Sequence, residues 1–264
     1  MRFAHISDLH LSVNVDDFSL LRSDLVETIK FVVDDIKSIE KHLDFVAITG
    51  DLTQIGDLES YKKLKELLEK LEIPVFLVPG NHDEPRALGE VFNRGKTKQM
   101  QDFKDYCIDF NGIQLLGVNT RCYGKDHGKL SNVQLSWIEE KLSNQAFSRN
   151  IIFMHHSPFL TGFSGYDETI QLLGRDAFGN SIEKSHSQII ILSGHIHKPF
   201  QAVWRGANCY IAGGPCFQLG SAAPFGEGEQ EVLNEPYCYF VHSILEDNSH
   251  VVSTRYVNLD NHNY

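Results

Sequence analysis

Phe3-Ala4-His5-Ile6, followed at once by Ser7-Asp8-Leu9-His10, sets how the rest of the chain is read. Four residues of strand character run into a carboxylate and an imidazole instead of an ordinary turn. The same arrangement returns. Phe45–Thr49 ends in Gly50-Asp51, and Val75–Val78 passes through Pro79 into Gly80-Asn81-His82-Asp83. Ile151–Met154 runs into His155-His156, and Ile189–Leu192 into Gly194-His195-Ile196-His197; Leu115–Val118 is a sixth strand. Hard-oxygen and imidazole groups thus recur at strand ends, where an α/β sheet opens its ligand crevice.

Helical periodicity fills the gaps. Leu21, Leu25, Ile29, Val32, Ile36 and Ile39 predict one amphipathic helix, and Leu58, Tyr61, Leu64, Leu68 and Leu71 a second. Ser131 and Gln134 stand at capping-box spacing and open a third, through Leu135, Trp137, Ile138 and Leu142. From about residue 202 the pattern turns to strands. Ala202–Trp204 and Cys209–Ala212 flank a turn at Arg205-Gly206-Ala207-Asn208; Tyr237–Leu245 and Val251–Val257 flank Glu246-Asp247-Asn248-Ser249. Gly220 to Pro236 reads as a long loop. One domain over residues 1–264 is expected, α/β first and strand-rich at its end.

Composition narrows the function classes. The 264 residues are 42% hydrophobic and 22% charged, with a formal net charge of -11. That balance excludes a broad basic face for a nucleic-acid polymer, and the basic cluster Arg94, Lys96 and Lys98 reads as a solvated loop. Cys107, Cys122, Cys209, Cys216 and Cys238 are scattered, odd in number and without a C-x-x-C pair, which suits a reducing compartment better than a disulfide framework. No apolar run approaches a membrane span, and no charged segment precedes a long apolar one. The expected place is the cytoplasm, with no membrane partner.

The spacing of the polar groups suggests cations. In an extended segment residues i and i+2 point the same way, so Asp8 with His10, and His195 with His197, are each expected to offer two ligands to one place. Glycine before Asp51, Asn81 and His195 permits sharp turns and close approach. The two oxygens of Asp51 can bridge two ions about 3.5–4 Å apart, which suits activation of a shared hydroxide. Nitrogen and oxygen donors without thiolate favour manganese, iron, zinc or cobalt over magnesium. Two divalent ions set against Asp8, Asp51 and a hydroxide leave the site near about +1, or about +2 with one trivalent ion, so a cationic hole can sit in an acidic protein.

The ordered series Asp8-x-His10, Gly50-Asp51, Gly80-Asn81-His82-Asp83, His155 and Gly194-His195-x-His197 resembles the calcineurin-like metallophosphoesterase superfamily. Within it, Asp126-His127-Gly128-Lys129-Leu130-Ser131, then Gln134-Leu135-Ser136-Trp137, is similar to a segment of class III cyclic-nucleotide phosphodiesterases and their glycerophosphodiesterase relatives. His155-His156-Ser157-Pro158 departs from those relatives, which carry two prolines there. The resemblance implies a four-layer αββα sandwich of two mixed sheets flanked by helices. It implies one ion on Asp8, His10, Asp51 and His197, and a second on Asp51, Asn81, His155 and His195. His82 would be the proton donor, and Asn81, His82 and His197 would also meet the substrate. His156 competes with His155 for one ligand place and is assigned behind it; Asp83 is expected to orient a nearby histidine.

The activity implied is hydrolysis of small phosphodiesters, first among them 3′,5′-cyclic nucleotides such as cAMP, by in-line attack of a metal-bridging hydroxide. A glycerophosphodiester, or another small diester or monoester, is the second choice. Pro79 stands where the superfamily's protein phosphatases carry arginine, and His82 where its lipid-precursor hydrolases do. A non-catalytic binding scaffold of the same fold is the reading from another class, against which every assigned position holds a competent side chain. Phe159, Phe163 and Tyr166 are candidates for stacking a nucleobase, although packing is their plainer role. His127, beside Tyr123 and Lys125, is a candidate substrate contact. His5, His42, His186, His242, His250 and His262 are expected to be structural or exposed. Relatives form dimers or larger assemblies, and the strands after Pro236 are where a homo-oligomer would form.

Overall fold

Along β1 (Arg2–Ile6) and β2 (Phe45–Ile48) successive side chains alternate between faces, and both faces are buried. Each face therefore needs its own cover. The protein is described from a computed structural model, for residues 1–18, 20–92, 105–162, 167, 170–220, 231–233 and 235–257. Phe3, Phe45 and Ala47 pack against Leu115, Ile151, Phe153, Ile190 and Leu192 of a second sheet. Ala4, Ile6, Val46 and Ile48 pack instead beneath α1 (Leu25–Ile39), α2 (Leu58–Leu68) and α3 (Pro85–Phe92). On the far face of the second sheet, Leu116, Ile152 and Ile191 meet Ile138 and Leu142 of α4 (Asn132–Leu142) and Phe178 and Ile182 of α5 (Arg175–Lys184). Full burial of each such side chain stabilises by about 1.5–3 kcal/mol, so three layers of them dominate the fold's cohesion.

The first sheet runs β15 (His250–Val257), β14 (Tyr237–Ile244), β1, β2, β3 (Val75–Leu77). Its last three strands are parallel, and β14 and β15 continue it antiparallel. The second runs β10 (Phe200–Trp204), β11 (Ala207–Ile211), β9 (Gln188–Ser193), β7 (Arg149–Phe153), β5 (Ile113–Gly117), β4 (Tyr106–Phe110). Its four inner strands are parallel, and β10 and β4 close the edges antiparallel. Two short pairs remain, β6 (Gly128–Lys129) with β8 (Leu172–Leu173) and β12 (Gln218–Gly220) with β13 (Glu231–Leu233). The architecture is the expected αββα sandwich of two mixed sheets.

Several boundaries differ from the sequence reading. The first helix begins at Leu25, where Thr28 N–H reaches back to Asp24 O (2.9 Å); Leu21 is buried in the preceding turn. The second ends at Leu68, short of Leu71. The capping box holds, with Ser131 Oγ accepting from Gln134 N and Gln134 Oε1 accepting from Ser131 N. Strand β4 was not anticipated. It pairs with β5 across Asn111-Gly112, both at positive φ (54° and 81°), the hairpin signature of an Asn-Gly step. The turn after β10 uses only Arg205 and Gly206 (φ 50° and 84°), so β11 starts at Ala207. In place of an unbroken loop after Gly220, β13 pairs back on β12. Residues Arg94, Lys96, Lys98, Phe163, Tyr166 and His262 lie outside the described residues. Among the described residues no helix is long and apolar enough to cross a membrane.

Candidate metal centre

A strand end alone does not aim a side chain; the turn after it does. Asp8 (φ 55°), His10 (45°), Asp51 (47°), His195 (75°) and His197 (56°) all occupy the left-handed region. The pairs Asp8/His10 and His195/His197 therefore do not share a direction through extended backbone, as the spacing suggested. Residues held in that region cost on the order of 1–3 kcal/mol each and persist only where the surroundings over-determine them. Here the surroundings do. Asp8 N donates to Gly50 O (3.1 Å), His10 N to Asp51 O (2.9 Å) and Leu11 N to Leu52 O (3.1 Å), lacing the loop after β1 to the loop after β2. His195 N donates to both carboxylate oxygens of Asp8 (3.0 Å each), which ties the second sheet to the first.

Asp83 completes the lacing. Wholly buried, it accepts from Leu52 N, Thr53 N, Gly80 N and the Tyr61 hydroxyl. It clamps backbone and, among the described residues, bonds to no histidine side chain, which differs from its expected role. Gly50 supplies a turn at φ 97°, whereas Gly80 supplies room, since a Cβ there would overlap Asp51 Oδ1.

The turns bring all seven expected ligand residues together. Asp51 Oδ2 lies 3.3 Å from His10 Nε2 and 3.2 Å from His155 Nε2. To one side, His10 Nε2 is 3.1 Å from His197 Nε2, which is 3.6 Å from Asp8 Oδ1. Ligand atoms of Asp8, His10, Asp51 and His197 all lie within 4.8 Å of one another. To the other side, His155 Nε2 is 3.1 Å from Asn81 Oδ1, and the His195 ring stands 4.9 Å from that of His155. Asn81 is half-buried and the other six are buried.

The far ring nitrogens settle which atoms are offered. Nδ1 of His10 donates to Gln54 Oε1 (2.6 Å), that of His155 to Thr49 O (2.7 Å) and that of His197 to Phe217 O (3.2 Å). A neutral ring that donates from Nδ1 keeps its lone pair on Nε2, the atom facing the carboxylates in each case. His156 differs. Its nitrogens also fall near those of His155 and His195, but Nδ1 accepts from Thr120 Oγ1 (2.8 Å) and Nε2 donates to Asp126 O (3.0 Å). Both are turned to groups other than the carboxylates, whereas His155 faces Asp51 and Asn81 with Nε2.

Charge follows position. Burial pushes the Asp8 carboxyl up to about 6, against the pull of His155. Burial acts the same way on Asp51, but His155 and His10 outweigh it and hold that carboxyl well below its usual range. Burial pulls His155 down, yet Asp51 and Asp8 carry it up to about 9; His10 is raised by the same contest. Burial and then His155 take His195 down to about 3, and burial and then His10 take His197 well below its ordinary value. Positive charge is thus drawn to the two rings flanking Asp51, and the outer rings stay neutral. Ligating histidines must be neutral and carboxylates ionised, so a cation binds here by displacing protons.

The residues fit metal ions on one further count. His195 Nε2 is buried and meets no hydrogen-bond partner among the described residues, a costly state that a cation relieves. The thiol of Cys216 lies near His10 and His197. Burial and then Asp8 push it well above its usual pKa, and it donates to Asp8 O (3.2 Å) as a neutral thiol. The donor set therefore remains nitrogen and oxygen, suited to transition metals.

Sequence reasoning missed several supports. Gln54 orients two rings, His10 through its side chain and His82 through its carbonyl, which accepts from His82 Nδ1 (2.8 Å). Phe217 stacks on His197 at 4.2 Å, and Gly214 leaves the space His197 occupies. The Gly213-Gly214-Pro215 run after β11 was the available signal for that approach. Nothing in a single sequence marks Gln54. His82 itself is half-buried, its backbone N–H on Asp51 Oδ1 (2.9 Å) and its ring edge-on to His10 at 4.7 Å.

Comparison with known proteins agrees with this geometry. The sequence model of the family described as calcineurin-like phosphoesterase matches residues 1–199. The chain is 24% identical over 257 residues to the probable glycerophosphodiester phosphodiesterase GpdQ of Arcobacter nitrofigilis, covering 97% of this chain and 93% of that one. It is 26% identical over 220 residues to the 3',5'-cyclic adenosine monophosphate phosphodiesterase CpdA of Vibrio vulnificus, covering 83% of this chain and 78% of the relative. Purple acid phosphatase PPD1 of yellow lupin shares the fold, with a TM-score of 0.66 at 14% identity over 99% of this chain. This chain spans 52% of that phosphatase. Since the matched span carries every converging side chain from Asp8 to His197, the chain belongs to the calcineurin-like phosphoesterase family and is a phosphoric ester hydrolase.

Proposed function

We propose that this protein is a binuclear metal-dependent phosphodiesterase acting on small phosphodiesters, with 3′,5′-cyclic nucleotides such as cyclic AMP as the first substrate. The observation that carries the proposal is one oxygen, Asp51 Oδ2, within 3.3 Å of imidazole nitrogens on both sides. Asp8, His10, Asp51 and His197 would hold one ion, and Asp51, Asn81, His155 and His195 the other. Manganese, iron, zinc or cobalt suits these donors. When bound, the ions supply a water of lowered pKa and a positive field for the phosphoryl oxygens.

The remaining work falls to the chain's own groups. Asn81, His82 and His197 hold the ester in the mouth of the site. Gln54 O engages Nδ1–H of His82, so the imidazolium form of that ring presents Nε2–H, whose proton is given to the departing alkoxide oxygen. The backbone lacing through Asp83 fixes these positions before substrate arrives. Diester over monoester is supported by the activities for which GpdQ and CpdA are named, and the 97% of this chain that aligns with GpdQ favours a glycerophosphodiester as the second reading. A cytoplasmic place and one domain over the whole chain complete the proposal.

The test is to strip metal with a chelator, restore manganese, and compare cyclic AMP, a glycerophosphodiester and bis(4-nitrophenyl) phosphate. Hydrolysis that disappears and returns with metal is the expected result. A preparation inactive with every metal tried would instead indicate a binding scaffold.

A further inference from the structure

The positive charge that two ions leave at the centre is matched by the single charge of a diester, and a further cation waits at the rim. Arg121 follows β5 on backbone pinned at three points. Its own N–H donates to Asn119 Oδ1 (3.0 Å), Gln134 Nε2 donates to Asn119 O (2.7 Å), and Thr120 Oγ1 donates to His156 Nδ1 (2.8 Å). From there Arg121 Nε donates to the carbonyl of Asn81 (3.4 Å), the residue whose side-chain oxygen lies 3.1 Å from His155 Nε2. The guanidinium carbon sits 5.0 Å over the ring of Tyr123, which is 82% exposed. Its acidic partner is Glu84, 3.6 Å from Nη2 and 43% exposed. The Arg121 side chain is 16% exposed, so the looseness of the pair lies in its length and in the exposed Glu84, whose place a phosphate offering two oxygens to the guanidinium fork can take.

We propose that Arg121 is a specificity-determining residue that recognises a doubly charged phosphate group at the mouth of the metal centre. Esters bearing such a group, or a product that has gained its second charge, are then held more tightly than simple monoanionic diesters. This inference rests on the phosphodiesterase reading above and adds a substrate class to it. The plain alternative is a latch, in which Arg121 only ties its loop to Asn81.

Charge and latch separate in a binding experiment on the manganese-loaded protein. Calorimetry at about pH 8 compares inorganic phosphate, mostly a dianion there, with dimethyl phosphate, a monoanion, in wild type, Arg121→Lys and Arg121→Gln. Arg121→Gln should weaken phosphate at least about tenfold more than dimethyl phosphate, while Arg121→Lys keeps the wild-type ratio within about threefold. Equal weakening of both anions, or an unchanged ratio in Arg121→Gln, overturns the proposal in favour of the latch. Wild-type protein that hydrolyses bis(4-nitrophenyl) phosphate yet binds phosphate no better than dimethyl phosphate overturns it as well. Absence of diester hydrolysis in wild type removes the parent reading, and this one with it.

Discussion

Buried histidines gather in two regions of this molecule. At the ends of β1, β7 and β9 stand His10, His155, His156, His195 and His197, among Asp8, Asp51 and Asn81. Between the sheets stand His5 and His242, with half-buried His250. His242 stacks on Phe3 at 4.7 Å and its Nδ1 lies 3.0 Å from His250 Nε2, while His5 Nε2 lies 3.0 Å from Thr49 Oγ1. Among the described residues no carboxylate pairs with this second group. Burial therefore decides its charge, taking His5 to about 3 against a backbone hydrogen bond at Ser193, His250 to about 4 with Arg149 adding to it, and His242 well below the ordinary value. In the first group carboxylates reverse that outcome for His10 and His155. The two regions touch at Thr49, whose hydroxyl meets His5 and whose carbonyl holds His155. Burial makes histidines neutral; only carboxylates and left-handed turns make a cluster of them a cation site.

The comparison breaks most visibly at its shared carboxylate. Asp51→Asn should lower diester hydrolysis beyond the about 10²–10⁴-fold that a single general acid supplies, with metal content falling in parallel by elemental analysis. Unchanged metal content would mean that Asp51 is not the bridge. His82→Ala should cost about 10²–10⁴-fold on an alkoxide leaving group and far less on nitrophenolate, which departs without a proton. Equal losses on both would remove its assigned role. Gln54→Ala frees Nδ1 of His10 and should weaken metal affinity by about 10–100-fold, the usual worth of a hydrogen bond behind a ligand; equilibrium dialysis reads it.

The smallest effect tests the second region. His5, His242 and His250 have folded pKa values depressed below an unfolded value of about 6.5, so the unfolded chain binds more protons as pH falls. Their contribution is complete above about pH 6.5 and is lost on acidification, at up to about 1.4 kcal/mol per pH unit for each histidine. The loss levels off near about 4 for His250 and about 3 for His5. His242→Phe should give a shallower fall in thermal midpoint between about pH 7 and 5 than wild type. An equally steep fall would remove His242 from the acid sensitivity.

How much of this was legible in the sequence depends on which physical signal carried it. Phe3, Phe45, Ile151 and Ile190 announced their strands because both faces are buried, which leaves continuous apolar runs. Asp8, Asp51, Asn81 and the histidines were legible because each follows such a run. Strand β4 escaped because Tyr106–Phe110 is half-buried on an edge, although Asn111-Gly112 marked its turn. The left-handed backbone of Asp8, His10, His195 and His197 could not be read at all. Outside tight turns such as Asn111-Gly112, non-glycine residues need tertiary constraint to take up that conformation, here the lacing to Gly50 and Asp51 and the bond from His195 N to Asp8. Asp83 and Gln54 were opaque for the same reason, since their partners are distant backbone and ring atoms.

Anomalous diffraction from manganese-loaded crystals tests the central claim most directly. Two peaks about 3.5–4 Å apart, both coordinated by Asp51, one completed by Asp8, His10 and His197 and the other by Asn81, His155 and His195, are the predicted result. A single peak, or two that do not share Asp51, would contradict it.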